Sequence, residues 1–169
     1  IGFFPMDVGM MTLKRDQNET NYFKRGNFFG ALLLGISAIL PVSSFAIDDA
    51  ALPESGSVVR GQADLNYSAN KLDVQQHSQR AVINWKNFNI GKKATVEFSQ
   101  PNKSSIAVNR VTGSNQDPTK ILGTLKSNGT VMVLDRNGVI FGKDSVVDVG
   151  GIIASTGNIN DDEFMDGNN

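Results

Sequence analysis

The 169-residue chain contains no cysteine and a single histidine, His77. Without cysteine there can be no disulfide framework, no thiolate nucleophile and no thiolate metal site. A serine-based catalytic triad would have to use His77, and no Gly-x-Ser-x-Gly sequence is present to supply the nucleophile. Since His77 stands between Gln76 and Ser78, we predict that it lies on the surface. We expect neither enzymatic activity nor a bound cofactor.

Tryptophan and tyrosine are also scarce, with one and two copies, and the net charge is only −1. Trp85 lies among apolar neighbours, so we predict that it packs in a core rather than stacking on a sugar. A chain that is not basic gives no support to nucleic-acid binding. Asp144 and Asp148 flank a predicted strand, but a calcium site would need several more oxygen ligands.

One long apolar run, residues 28–40, follows four basic residues between positions 14 and 25. Pro41 ends the run, and Ser44-Phe45-Ala46 then offers small residues for cleavage between Ala46 and Ile47. These features predict a secretory signal peptide with an extended basic region over residues 1–46, read by the general secretory machinery. A transmembrane anchor is the alternative, but it needs about 20 apolar residues.

Residues 47–169 would then form the mature domain. Removal of residues 1–46 takes away four basic and three acidic residues, so the remaining net charge is −2. The remaining length suffices for one domain with its own hydrophobic core.

The segment from Gly123 to Gly157 consists of short apolar runs separated by turn residues. Valine and isoleucine dominate the runs, which favours β-strands over helices. Asn128-Gly129 and Asn137-Gly138 are expected to adopt positive φ angles at sharp turns. The pattern predicts strands of three to five residues, namely Thr130–Leu134, Val139–Phe141, Val146–Val149 and Ile152–Ala154.

Two architectures are compatible with short apolar runs separated by turn residues. In a sandwich of hairpins, each Asn-Gly pair would connect antiparallel strands, whose half-exposed faces should alternate apolar and polar residues. In a parallel β-solenoid, each strand stacks on its equivalent one coil away. Val146–Val149 alternates only weakly and Gly150-Gly151 is a poor hairpin turn, so the solenoid is favoured.

The remaining sequence is also predicted to be β structure. Residues 51–70 indicate short strands that form a small cap. Apolar alternation in residues 71–90, and the segments Ala94–Ser99 and Ser105–Val111, indicate further strands. After Gly157 the tail becomes acidic, and we predict no closing element there.

Several blocks in this order resemble the N-terminal secretion domain of filamentous haemagglutinin-type proteins. The resemblance covers roughly residues 53–166 and is most similar to the subset with high-molecular-weight adhesins and haem–haemopexin-binding exoproteins. The blocks are Ala81–Gly91 (AVINWKNFNIG), Val96–Gln100 (VEFSQ), Val108–Gly113 (VNRVTG), Ile121–Gly129 (ILGTLKSNG), Asn137–Gly142 (NGVIFG) and Val147–Thr156 (VDVGGIIAST).

This resemblance implies a right-handed parallel β-helix with an N-terminal β cap. It also implies two-partner secretion, in which an outer-membrane barrel transporter with periplasmic POTRA domains recognises the domain and exports it to the cell surface. The passenger of such a protein would be an adhesin or haemagglutinin that contacts host cells. Two other readings stay open, namely a stand-alone carbohydrate- or cell-binding adhesin and, less favoured, a polysaccharide-active β-helix enzyme.

The secretion motif of the family, Asn-Pro-Asn-Gly-Ile, falls on residues 135–139. Asn137 and Gly138 match it, whereas Asp135, Arg136 and Val139 do not. The resemblance therefore assigns transporter recognition to Asn137 and Gly138, together with Asn109 and Arg110 of a neighbouring block. A purely structural role is equally compatible, because Gly138 could supply a positive-φ turn and Asn137 could bond backbone groups.

Overall fold

The computed structural model describes residues 47–167, which form ten β-strands and one short helix. The strands are β1 (Ser57–Arg60), β2 (Ala63–Tyr67), β3 (Lys71–Gln76), β4 (Arg80–Trp85), β5 (Thr95–Ser99), β6 (Ile106–Val111), β7 (Thr119–Ile121), β8 (Thr124–Leu134), β9 (Val139–Phe141) and β10 (Val146–Ser155). The helix, α1, spans Asp161–Asp166. The predicted cleavage between Ala46 and Ile47, and the signal peptide over 1–46, lie outside the described residues.

The strands stack in parallel over four successive coils. One wall consists of β3, β5, the first part of β8 and the first part of β10. The second wall consists of β4, β6 and the later parts of β8 and β10. A third, shorter wall is formed by Ile90, β7 and β9. This parallel pairing confirms the predicted solenoid and contradicts the sandwich.

The predicted N-terminal cap is present, but its two strands pair with the first coil rather than with each other. β1 lies antiparallel to β4, and β2 lies antiparallel to β3. Before β1, residues 48–51 bond to the backbone at Gly91 and Lys93. The cap thereby uses the strand edges that the first coil would otherwise leave open.

The core lies inside the coils and follows the period-two alternation of the sequence. Leu72, Val74, Ile83 and Trp85 are all buried. Trp85 is fully enclosed and meets Phe88 edge to face, with 5.5 Å between the ring centroids. The predicted core position of Trp85 is confirmed, and Trp85 is not available as an exposed sugar platform.

The predicted short strands are wrong at two places, because β8 and β10 run through Asn128-Gly129 and Gly150-Gly151. Gly129 does not have a positive φ angle. Glycine is needed there because neighbouring atoms lie very close to its backbone. A Cβ at position 129 would lie 2.6 Å from Gln100 Oε1 and 2.7 Å from Ser105 O. Gln100 is buried at this corner, where its Nε2 donates to Gln76 Oε1 at 3.0 Å. Glycine therefore makes room for a stacked polar corner instead of making a turn.

The tail forms a short helix that the acidic sequence did not predict, but this helix packs outside the coils and does not pair with the last strands, β9 and β10. Asn160 caps α1 by accepting from two backbone N–H groups, and Gly167 ends the helix at φ 90°. Phe164 on α1 is buried in a second apolar cluster, outside the coils. The cluster also contains Val82, Val108, Met132 and Leu134. Ile159 and Met165 of the tail also pack against the cluster, but the polar residues between them kept this apolar attachment from being recognised in the sequence.

Candidate functional site

The secretion-motif segment forms a tight turn directly after β8. Gly138 N donates to Asp135 O at 2.8 Å, and Asn137 N donates to Asp135 Oδ1 at 2.9 Å. Gly138 has φ 101°, a conformation that glycine adopts without strain. The predicted positive-φ turn at Asn137-Gly138 is therefore present. Asp135 closes it as an Asx turn, in which the carboxylate accepts from the backbone two residues later.

Asp135 also ties this turn to the preceding coil. Its second carboxylate oxygen accepts from Thr119 N at 3.0 Å and from Thr119 Oγ1 at 2.7 Å. Asp135 is 2% exposed, so these three hydrogen bonds, rather than water, satisfy its carboxyl oxygens. Position 135 departs from the family motif, yet its residue supplies the acceptors that hold the turn. The signal was readable, since Asp at the first position of a turn is a common Asx-turn former.

The Asn137 side chain reaches across to the loop between β6 and β7. Its Nδ2 donates to the backbone oxygen of Asn115 at 3.0 Å, and this bond is exposed. Arg136, next to it, is exposed as well. We call this corner, residues 113–116 and 135–138, the motif corner. It presents amide and guanidinium groups to solvent.

Asn109 lies inside the coils and is not part of the exposed corner. It is fully buried, and its Oδ1 accepts from the Trp85 indole at 3.0 Å. Its Nδ2 lies 3.3 Å from Met132 O. In the folded domain these bonds give Asn109 a structural role, and any contact with a partner protein would require the chain to be unfolded there.

Arg110, the next residue, faces outward and is engaged by the C-terminal helix. It donates to the Asp161 carboxylate and, from Nη2, to Ile159 O at 3.3 Å. The Arg110 guanidinium lowers the pKa of Asp161 below its usual value, mainly through this hydrogen bond. Of the four predicted residues, Asn109 is therefore buried, Arg110 forms an ion pair outside the coils, and Asn137 and Gly138 form a turn.

Other candidate groups have local explanations. His77 is exposed, as predicted, and its Nε2 lies 2.8 Å from Asp64 Oδ2. Asp144 pairs with the neighbouring Lys143 at 3.3 Å. Within residues 47–167, no group of three or more His, Cys, Asp or Glu side chains is arranged to hold a metal ion. In the same part of the chain, no helix has the length and apolar character needed to cross a membrane.

The fold agrees with the comparisons to known proteins. The family described as TPS secretion domain matches residues 49–169. The chain therefore belongs to the two-partner-secretion domain family. The members of this family are secretion domains of exoproteins, and it is not a family of enzymes. The fold class predicted from the sequence, an all-β parallel β-helix with an N-terminal cap, is confirmed.

Two relatives and one solved structure are similar. Two proteins from Haemophilus influenzae, each named heme/hemopexin-binding protein, are 40% identical over 105 residues and 42% identical over 89 residues. These alignments cover 62% and 53% of this chain but only 11% and 9% of the relatives. The crystal structure of the HMW1 secretion domain from Haemophilus influenzae matches with a TM-score of 0.63 and 34% identity, covering 68% of this chain and 30% of that one.

Proposed function

We propose that this domain is the export module of a large exoprotein and that a cognate outer-membrane barrel transporter recognises it. The observation that carries the proposal is the family match over residues 49–169. Because the chain spans about a tenth of the length of the relatives it matches, most of the protein's activity would belong to other segments.

In the proposed route, the general secretory machinery reads residues 1–46 and a peptidase cuts between Ala46 and Ile47. POTRA domains of the transporter then bind the domain in the periplasm, and the exoprotein reaches the cell surface. The passenger is an adhesin or haemagglutinin that contacts host cells. The names of the similar proteins, a heme/hemopexin-binding protein and HMW1, support a passenger at the cell surface.

The proposed mechanism uses strand pairing. An extended chain can add to an open sheet edge of a transporter by β-augmentation, which needs only backbone hydrogen bonds. Once outside, each coil stacks in parallel on the preceding one, as β10 does on β8. Stacking stabilises every coil that has emerged, and folding on the outside therefore favours onward movement of the chain.

For recognition we propose Asn137 and Gly138 of the motif corner, with Asn109 and Arg110 contributing. Asn137 and Arg136 place polar groups in solvent beside the loop at Asn115. Polar groups on a rigid turn suit a hydrogen-bonded contact that distinguishes one partner from another.

Co-expression of the full chain with its transporter tests the proposal. The chain should appear in the medium or on the cell surface, whereas cells without the transporter should retain it in the periplasm. Retention in both strains, or export in both, would contradict the proposed route.

Asn137→Ala tests the motif corner, with Asn115→Ala as the matched control. The control keeps the backbone oxygen that Asn137 contacts, so it removes an amide from the same corner without breaking that bond. Recognition through Asn137 predicts periplasmic accumulation of Asn137→Ala with nearly unchanged stability, and normal export of Asn115→Ala. If export falls only in proportion to stability, Asn137 has a structural role.

A further inference from the structure

The short helix α1 is bonded to two strands from different coils. Arg110 of β6 holds the Asp161 carboxylate and Ile159 O. Arg80 of β4 donates to the backbone oxygen of Phe164, and its guanidinium carbon lies 5.3 Å from the centre of the Phe164 ring. Arg110 and Asp161 are largely buried side chains, at 16% and 21% exposure, so their ion pair is less screened than a surface pair.

Apolar contacts extend this attachment to the third coil. Phe164 lies over an outward-facing row in which Val82, Val108 and Met132 are register neighbours in β4, β6 and β8. Arg60 of the cap strand β1 adds a weak, exposed contact to Asp162 at 3.4 Å. The helix therefore touches the cap and each of the first three coils.

Contacts between one element and several coils are unusual for a solenoid. In a solenoid each repeat contacts only its neighbours, and stability adds up from one interface to the next. α1 follows the fourth coil in the chain, yet its partners belong to the cap and the first three coils. A helix of six residues is too short to be stable alone, so it forms only when it docks. Docking in turn requires that the strands carrying Arg80, Arg110 and Met132 are already aligned.

We propose that α1 is a strap that closes last and joins the cap and the first three coils into one cooperative unit. Before closure the coils can open one at a time, and after closure they open together. Resting on the proposed function, this gives the domain a loose form suited to export and a locked form suited to the cell surface. Closure cannot occur until the chain through Phe164 is available.

Equilibrium unfolding of the full chain by denaturant tests the strap with two probes. Fluorescence of Trp85, the only tryptophan, reports the first coil, and far-UV circular dichroism reports all strands. In the wild-type protein the two transitions should coincide, because the strapped coils unfold together. In Phe164→Ala they should separate. Amide exchange in β1 and β4 should rise at least about a hundredfold, the lower end of the range that corresponds to losing a buried ring.

Two control variants distinguish uncoupling from simple loss of stability. Leu125→Ala removes a buried side chain inside the coils, so it should lower the midpoint while the two transitions stay together. Glu163→Ala changes an exposed residue of the same helix and should leave both transitions unchanged. Separation in Leu125→Ala to the same extent as in Phe164→Ala would overturn the proposal.

Asp161→Asn provides a variant that keeps the shape of the helix in case Phe164→Ala does not fold. It should separate the transitions in the same direction but to a smaller extent. Coincident transitions in every strap variant that folds would overturn the strap. These measurements need no transporter, so failure of wild-type export would count against the proposed function alone.

Discussion

The two ends of the solenoid are built differently. At the N-terminal end, antiparallel strands β1 and β2 cover the edges of the first coil, and residues 48–51 dock beside Gly91. At the other end, within residues 47–167, β10 pairs only with β8 and β9 pairs only with β7. Of the six exposed large hydrophobic residues in this part of the chain, five lie on these last two strands, namely Ile140, Phe141, Val146, Ile152 and Ile153, whereas Tyr67 lies on β2.

Because of this difference, another coil could be added at the C-terminal end of the solenoid but not at the N-terminal end. An antiparallel partner ends the repeat, because its hydrogen bonds use the parallel edge without reproducing the coil. A parallel edge with inward-facing apolar residues presents the same surface that each earlier coil offered to its successor. We call the two ends closed and open, and the following predictions compare them.

The largest effect is expected from Trp85→Ala at the closed end. Removing a fully buried indole also leaves the Asn109 amide oxygen without its donor, so we expect a loss of about 4 kcal/mol. At the open end, Ile152→Ala should cost about 1 kcal/mol or less, because the side chain is 41% exposed. Denaturant unfolding followed by circular dichroism measures both. Equal losses would remove the distinction between the ends.

Gly91→Ala is expected to have the next largest effect, because a Cβ there would collide with the backbone of Asp48 and Asp49. Backbone cannot easily move aside, so we expect a loss of about 2 kcal/mol. The matched change Gly157→Ala, after β10, meets only the Ser155 hydroxyl at 3.3 Å and should stay within about 0.5 kcal/mol. Thermal unfolding compares the two variants, and an undamaged Gly91→Ala protein would show that residues 48–51 are dispensable.

Asn137→Ala, in the third coil between the two ends, should cost about 1 kcal/mol or less. It removes one exposed hydrogen bond to Asn115 but keeps the Asx turn, which uses the backbone of Asn137. Asp135→Ala is the contrast, since it removes three hydrogen bonds to a buried carboxylate and should cost more. Chemical denaturation orders the two variants, and the reverse order would contradict the assigned geometry.

The smallest expected effect is a loss of stability at the closed end in acid. Hydrogen bonds from Arg110 and from Lys86 lower the pKa of Asp161 and of Glu54, respectively. Each carboxylate therefore stabilises the fold above its unfolded pKa, about 4, and this contribution is lost as pH falls through its lower folded pKa. Between pH 5 and pH 3, the protection of amides in β1 and β4, expressed against the intrinsic exchange rate at each pH, should fall relative to that in β9. A uniform change along the chain would contradict the prediction.

Much of the fold was predictable because alternation and turn residues are local signals. Leu72, Val74, Ile83 and Trp85 alternate with polar residues, and all four face the core. The positive φ at Gly138 followed from the Asn-Gly pair. The short strands of the cap were also indicated by the local pattern of residues 51–70, and the family blocks agreed with it.

The parts that were wrong depend on contacts between distant residues. Gly129 looks like a turn residue in the sequence, but it is small because Gln100 from the preceding coil lies against it. The helix α1 has a single buried residue, Phe164, and its stability comes from strands far earlier in the chain. At the motif corner, Asp135 was noted only as a departure from the family motif, because its partner Thr119 could not be identified from spacing alone.

The bond between Asn109 and Trp85 limits when a partner protein can bind the Asn109 amide. Such a partner must compete with the Trp85 indole, which donates to the amide oxygen in the folded domain. The surrounding side chains exclude any other partner, since Asn109 has no exposed surface. Under the proposed recognition, folding would therefore make the Asn109 amide inaccessible, and the transporter could not bind this residue in a domain that has completed its coils.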